Sequence, residues 1–300
     1  MHFNVKEEII ALTPQWQGER LSDGRPKVAE KYLDALHGMT LEEVWKPIFV
    51  KGYESQFEGR LKVLHDDGRK LIGRAVTASY APTRPDLHET LFKTGVEEGR
   101  KGNYNQWVID TLQERDVVVV DMYDKIYKGT FLGGNLSTAV AARTRGGGAV
   151  IWGGIRDLEQ MKEIKNLQVY YRGIDPTPIR DFLMTGFNTP CRFGSAICLP
   201  GDVVFGAGGG VLFIPSHLVA EVVDGAAKTH VKDIFGFEMI TANVFTTAQI
   251  DKNTWTEEML DKLVAFIRQD PRAKEFRDLD WSKEYDLARN GDPNDTQTAL

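Results

Sequence analysis

Apolar residues recur along this chain at two different periods. Up to about Tyr53 they fall at helix-like intervals: Val28, Tyr32, Leu33 and Leu36, then Leu41, Val44 and Ile48. Thr40 followed by Glu43 has the spacing of a capping box that opens the second of these helices. Beyond Gly59 the apolar runs shorten. Segments rich in Val and Ile, bounded by Gly, Pro and Asp, predict strands over 71–78, 117–120, 149–152, 169–171, 196–199, 203–205 and 211–214. Helical patterns over 86–99, 104–113 and 136–144 lie between some of them, which gives a mixed α/β plan. Two more helices follow. One, amphipathic, covers 217–229; the other covers 254–267, opens with Thr254 and Glu257 at capping-box spacing and stops before Pro271. From Asp270 the chain is dense in charge, and 284–300 has few large apolar groups, so a C-terminal arm that packs on something else or frays is expected.

Composition narrows the class. Hydrophobic residues at 42%, charged residues at 27% and 29 Gly with 12 Pro in 300 residues are ordinary for a globular chain and exclude collagen, coiled coil and wholesale disorder. The formal charge of -6, without a long basic block, argues against a nucleic-acid partner. The longest uncharged stretch, 203–220, is broken by glycines, Pro215, Ser216 and His217, so no membrane span is expected. Lys6, Glu7 and Glu8 interrupt any secretory signal, and a cytoplasmic location is the expectation. Cys191 and Cys198 read as buried small hydrophobes.

Several catalytic motifs fail. No Gly-Lys-Ser/Thr is present, hence no P-loop. The run Gly206-Ala207-Gly208-Gly209-Gly210 leads into the strand at 211–214 rather than a helix, so it reads as a tight hairpin and not a phosphate loop. His88-Glu89 lacks a second His one turn on, and no Gly-x-Ser-x-Gly elbow occurs.

One region concentrates chemistry. A strand over 116–121 and the turn Gly133-Gly134-Asn135 lead into a helix; a second strand over 147–152 ends in Gly153-Gly154-Ile155-Arg156-Asp157. Turns of this kind, after a strand and before a helix, are where open α/β sheets place ligands. Amides at the start of the Leu136 helix, unobstructed at Gly133 and Gly134, can approach a carboxylate, and Arg156 offers a bidentate fork to the same anion. Asp157 can hold a divalent cation. A structural reading competes: Asn135 and Asp157 are ordinary N-cap residues, and Asp157 to Gln160 has capping-box spacing. Trp152, Tyr123 and Tyr127 flank the motif, either as pocket walls or as core.

The run Gly133-Gly134-Asn135-Leu136, the alanine-rich helix after it, the strand to Trp152 and Gly154-Ile155-Arg156-Asp157 resemble the family of the regulator of ribonuclease activity A. The same family holds the 4-hydroxy-4-methyl-2-oxoglutarate/4-carboxy-4-hydroxy-2-oxoadipate aldolases. The likeness continues through Asn188-Thr189-Pro190, Leu199-Pro200-Gly201-Asp202-Val203-Val204 and Gly210 to Pro215, and covers about 59–228. It implies an α/β/β/α sandwich similar to the swivelling phosphohistidine domain, with N-terminal helices and a C-terminal helical extension. The chain is expected to form one domain overall: a helical segment over 1–58, the core over 59–232 and an extension over 233–300. The resemblance further implies a homotrimer or homohexamer with sites between subunits.

What the resemblance implies about chemistry is a divalent-metal-dependent lyase that cleaves a small 2-oxo acid by retro-aldol reaction or decarboxylation. Asp157 would hold Mg2+ or Mn2+, Arg156 would bind the oxo acid, and the turn amides of Gly133, Gly134 and Leu136 would grip its carboxylate. The aldolase branch carries an acid upstream of the arginine and another in the turn after the Arg-Asp pair; Asn135 and Gln160 stand there in this chain. A neutral amide is no general base, so Asp124, Glu159 or Glu238 would have to serve, or the reaction differs. The stretch 233–255 looks like that of longer members in sugar-acid catabolism, so the small-molecule partner is an oxo acid or a sugar acid. Two other readings stand: a sugar-acid dehydratase on the same site, and a non-enzymatic regulator that binds a ribonuclease. That last branch lacks the acid after the arginine, which this chain keeps as Asp157.

Overall fold

The computed structural model describes residues 2–291. The strands run in the order β1 (Phe57–Glu58), β2 (Lys62–Val63), β3 (Leu71–Pro82), β4 (Asp116–Leu132), β5 (Gly148–Ile155), β6 (Gln168–Ile174), β7 (Phe182–Phe187), β8 (Cys191–Phe193), β9 (Ala196–Cys198), β10 (Val203–Ala207) and β11 (Gly210–Ile214). Eight of them form a path ordered β1-β11-β10-β3-β4-β5-β6-β2, with β7 also paired to β3; β8 and β9 make a separate ribbon. The pairs β3–β4, β4–β5 and β5–β6 are parallel, as strands separated by helical crossovers should be.

Side-chain alternation builds two cores. In β5, Ala149, Ile151 and Ile155 enter a core with Val140 and Met161 of the flanking helices, while Val150 enters a second core with Phe193, Cys191 and Cys198 of the ribbon. Helices therefore cover one face of the main sheet and the β8–β9 ribbon lies on the other. Near the N-terminus, the helices Glu30–Leu36 and Leu41–Phe49 pack on β3 and β11. The expected α/β/β/α sandwich with helices at both ends is the fold present.

The helices agree with the apolar periodicity and differ at their ends. Thr40 and Glu43 form the expected capping box. The helix Pro85–Glu97 stands near its expected place, whereas Tyr104–Ile109 is shorter than the pattern suggested. The helix expected over 217–229 begins instead as a 3-10 turn and continues as Val219–Thr241. The cap expected at Thr254 is made by Thr256, whose side chain accepts from Met259 N. Gly208 and Gly209, at φ 57° and 78°, form the two-residue turn between β10 and β11. Both central positions of such a turn need positive φ, so the glycine run is a hairpin as expected.

Arg25 ties the N-terminal segment to the sheet. Its guanidinium is fully buried and meets Asp116 in two parallel bonds, Nη1 to Oδ1 at 2.8 Å and Nη2 to Oδ2 at 3.0 Å. Its Nε donates to Asp23 Oδ2 at 2.7 Å, and Nη1 also reaches Ala75 O. Arg74 of β3 likewise donates to Val28 O and Glu30 Oε1.

The chain divides into two compact units, Met1–Glu221 and Val222–Leu300. The second has its own core of Val231, Phe235, Trp255, Met259, Leu263 and Ile267, which Ala273, Phe276 and Trp281 complete. So the charged stretch after Asp270 does not fray over its first part: its few apolar residues are spaced to reach that core. The end of the expected arm, 292–300, lies outside the described residues.

Candidate functional site

Two strand–turn–helix crossings converge. β4 runs further than its apolar stretch predicted because Tyr123, Asp124 and Lys128 take left-handed conformations, at φ 44°, 58° and 56°, that let an irregular strand continue to Leu132. Leu132 then pairs with Ile155, and Arg156 N donates to Leu132 O at 3.0 Å. The turn after β4 and the turn after β5 are thereby held side by side.

Gly133 is the N-cap of the helix Gly134–Thr144, in extended conformation. A Cβ there would lie 2.5 Å from Asp157 Oδ2 and 2.8 Å from Arg156 Nε, so a side chain at this position would displace both groups from where they stand. Asp157 sits in the left-handed region at φ 56° and ψ 39° and makes no side-chain cap bond to its own helix, Leu158–Lys162. Its Oδ2 accepts instead from Gly134 N across the cleft, at 3.0 Å. Asn135 lies inside the first turn and is exposed, and Asp157 stands at the N-cap position of its own helix but spends its side-chain bond on the neighbouring one.

Between the turns lies a cavity of about 230 Å3 lined by Gly133, Gly134, Asn135, Leu136, Arg156, Asp157 and Gln160. Every predicted site residue is in this lining. Asn135 and Leu136 present first-turn amides that have no intrahelical acceptor, at the positive end of the helix. The Arg156 side chain is 38% exposed and that of Asp157 41%, with Nε 3.7 Å from Oδ2, an ion pair in reach but not a hydrogen bond. Among the described residues the Arg156 guanidinium donates no hydrogen bond, so its fork is open to an anion.

The alternative bases lie elsewhere. Asp124 accepts from Arg172 Nε at 3.0 Å. Glu238, in the second unit, pairs with Arg272. Glu159 is exposed and does not line the cavity. Nor do the flanking aromatics: Trp152 packs on Phe193 and beneath Arg172, Tyr123 rests against the helix-side core, and Tyr127 is exposed.

The donor set bears on a cation. Among the described residues no group of three or more His, Cys, Asp or Glu side chains is placed to hold a metal, and Asp157 is the one acid in the lining. Among the described residues this set makes no closed cage. Mg2+, however, keeps several waters and commonly takes only one or two carboxylates plus substrate, and Asp157 with the amide oxygens of Asn135 and Gln160 fits such a hydrated ion. What local sequence did not signal is the bond from Gly134 N to Asp157, because it depends on the left-handed backbone at Asp157.

Comparison with known proteins follows the same turns. The RraA-like family model, described as Aldolase/RraA, matches residues 33–213. Protein DlpA of Legionella pneumophila is 29% identical over 165 residues, which are 52% of this chain and 23% of that protein; the chain thus corresponds to less than a quarter of this curated relative. Among solved structures, a Streptomyces coelicolor protein, RraAS2, described as an unusual member of the RNase ES inhibitor RraA family, aligns with a TM-score of 0.57 at 21% identity, covering 73% of this chain and 98% of its own. An uncharacterized protein from Pseudomonas syringae pv. tomato aligns with a TM-score of 0.58 at 18% identity, covering 74% and 93%. At these identities the two structures speak for the fold alone.

Proposed function

From the premise that this chain belongs to the RraA-like (Aldolase/RraA) family, we propose that it is a cytoplasmic, divalent-metal-dependent lyase that breaks a carbon–carbon bond of a small 2-oxo acid through a pyruvate-type enolate. The observation that carries the reading is that the Arg156 fork, which among the described residues donates no hydrogen bond, lines one small cavity with the first-turn amides and Asp157. Asn135 N and Leu136 N, at the positive end of the helix, receive the substrate carboxylate. Arg156 takes the oxygen on which charge grows as the bond breaks, a contact typically worth about 3 to 4 kcal/mol in the transition state. Asp157, with Asn135 and Gln160, would hold Mg2+ or Mn2+, which would supply positive charge at the oxygens of the oxo acid.

The lining also ranks the two carbon–carbon cleavages. Retro-aldol cleavage needs a base for the substrate hydroxyl proton, and Asp157 is the sole acid in the lining among the described residues. Decarboxylation needs none: the bond to the departing carboxylate breaks, its electron pair becomes the enolate, carbon dioxide leaves, and water later returns a proton to carbon. The site therefore suits loss of carbon dioxide from an oxaloacetate-like acid better than aldol cleavage. We take the assembly to be a homotrimer or homohexamer, which light scattering reads directly.

The test is a panel of oxaloacetate, a 4-hydroxy-2-oxo diacid and an aldonic acid, each with Mg2+, with pyruvate and dehydrated products measured. Pyruvate from oxaloacetate is the expected result; product from the aldonic acid alone would transfer the site to the dehydratase reading. A parallel Mn2+ titration compares the native chain with Asp157→Ala, and equal affinity in both removes the metal assignment. The bond from Gly134 N to Asp157 is what a purely architectural role for that carboxylate also requires, and no turnover of any acid would leave the ribonuclease-regulator reading in possession.

A further inference from the structure

A larger cavity in the first unit lies apart from Arg156 and Asp157. It measures about 390 Å3 and shares no lining residue with the candidate site. That volume is in the range of small-molecule pockets. Its walls are apolar: Leu12, Pro14 and Trp16 come from the N-terminal segment, and Ile197, Leu199 and Pro215 face them. Polar groups are few and converge. Tyr53 Oη stands 3.3 Å from His217 Nε2, and Asp202, only 4% exposed, lines the same space.

Asp202 differs from Asp116, another buried acid of this unit. Asp116 is met by Arg25. The Asp202 carboxyl accepts from Leu199 N at 2.8 Å and lies near the Ser216 amide, and among the described residues it has no basic partner. A carboxylate offers about four acceptor sites, so two amides leave it short of countercharge. Burial pushes its pKa up to about 7 against the pull of those amides. The neighbouring His217 does not supply the charge: burial, with Lys51 second, holds its pKa below the usual value, and Lys51 is itself paired with Glu221 at 3.0 Å.

We propose that this cavity binds a small organic cation, a primary ammonium on an apolar or aromatic body, with the ammonium against Asp202 and the body between Trp16, Tyr53 and Leu12. The ammonium supplies the missing countercharge, and indole and phenol faces attract cations. Tyr53 Oη or His217 Nε2 accepts a further N–H. The proposal stands independently of the lyase reading.

Calorimetric titration of the full chain at pH 8 with 2-phenylethylamine and with its neutral analogue 2-phenylethanol tests it. The amine is expected to saturate one site and to bind at least about tenfold more tightly than the alcohol. Asp202→Asn should erase that preference. Because this change also touches the Leu199 turn, Trp16→Ala provides a second arm, with affinity for the amine expected to fall about threefold or more. Arg156→Ala should bind the amine as the native chain does. Absence of amine binding, equal affinity for amine and alcohol, or an amine affinity unmoved by Asp202→Asn overturns the proposal.

Discussion

Two arginine–aspartate pairs in the first unit show how one chemistry is put to opposite ends. Arg25 and Asp116 are both fully buried and meet in two short bonds, with Asp23 and Ala75 O taking further donors. Nothing in that pair is left for a ligand. Arg156 and Asp157 are adjacent in sequence, each more than a third exposed, and too far apart for a hydrogen bond at 3.7 Å. There one carboxylate oxygen accepts from the neighbouring helix, and among the described residues the guanidinium donates no hydrogen bond. Burial and complete pairing make an arginine structural; partial exposure and incomplete pairing leave it available.

The comparison breaks first at Arg25. Arg25→Ala strands the Asp116 carboxylate in the interior, and loss of one partner of a buried pair costs about 3 to 5 kcal/mol. Urea denaturation of the variant checks this, and a loss below about 1 kcal/mol would show the pair to be dispensable. Asp202 sharpens the contrast as a buried acid without an arginine. Its folded pKa of about 7 lies above the unfolded value near 4, so the folded chain holds that proton more tightly. The stabilisation is complete below about pH 4 and is lost as pH rises toward 7, by an amount on the order of a few kcal/mol. Denaturation midpoints at several pH values should fall more steeply for the native chain than for Asp202→Asn, and parallel slopes would refute this linkage. At the other pair, Arg156→Ala should leave stability within about 0.5 kcal/mol while turnover drops roughly a hundredfold or more. A stability loss as large as that of Arg25→Ala would erase the distinction between the pairs.

The two regions were not equally legible in the sequence. Both turns of the candidate site were visible because each lies where an apolar run gives way to glycine and then to a helical pattern, at Gly133-Gly134 and at Gly154-Ile155-Arg156-Asp157. Most strands were visible for the same reason. β1, β2, β7 and β8 were not: β1 and β2 are two residues each, and Thr185, Gly186 and Arg192 interrupt the apolar pattern of β7 and β8. The far half of β4 was hidden by Asp124, Lys125 and Lys128, polar residues carried by an irregular strand rather than a loop. Arg25 gave no signal at all: an arginine among Asp23, Gly24 and Pro26 reads as a surface turn, and its partner Asp116 is remote in sequence. Local patterning registers what neighbours do to one another; a bond between distant segments leaves no periodic trace.

Strand β3 carries a consequence for the order in which the molecule can form. Its first half pairs with β10, through Leu71 to Arg74, and its second half with β7, through Ala78 to Pro82, while β4 runs along its other edge. On the ribosome β3 emerges roughly 100 residues before either antiparallel partner, a wait of about 5 to 20 s at ordinary elongation speeds. For that interval a largely apolar edge stands uncovered to anything else in the crowded cell, and a protein made in this sequence has reason to depend on a chaperone until residue 207 has cleared the exit tunnel.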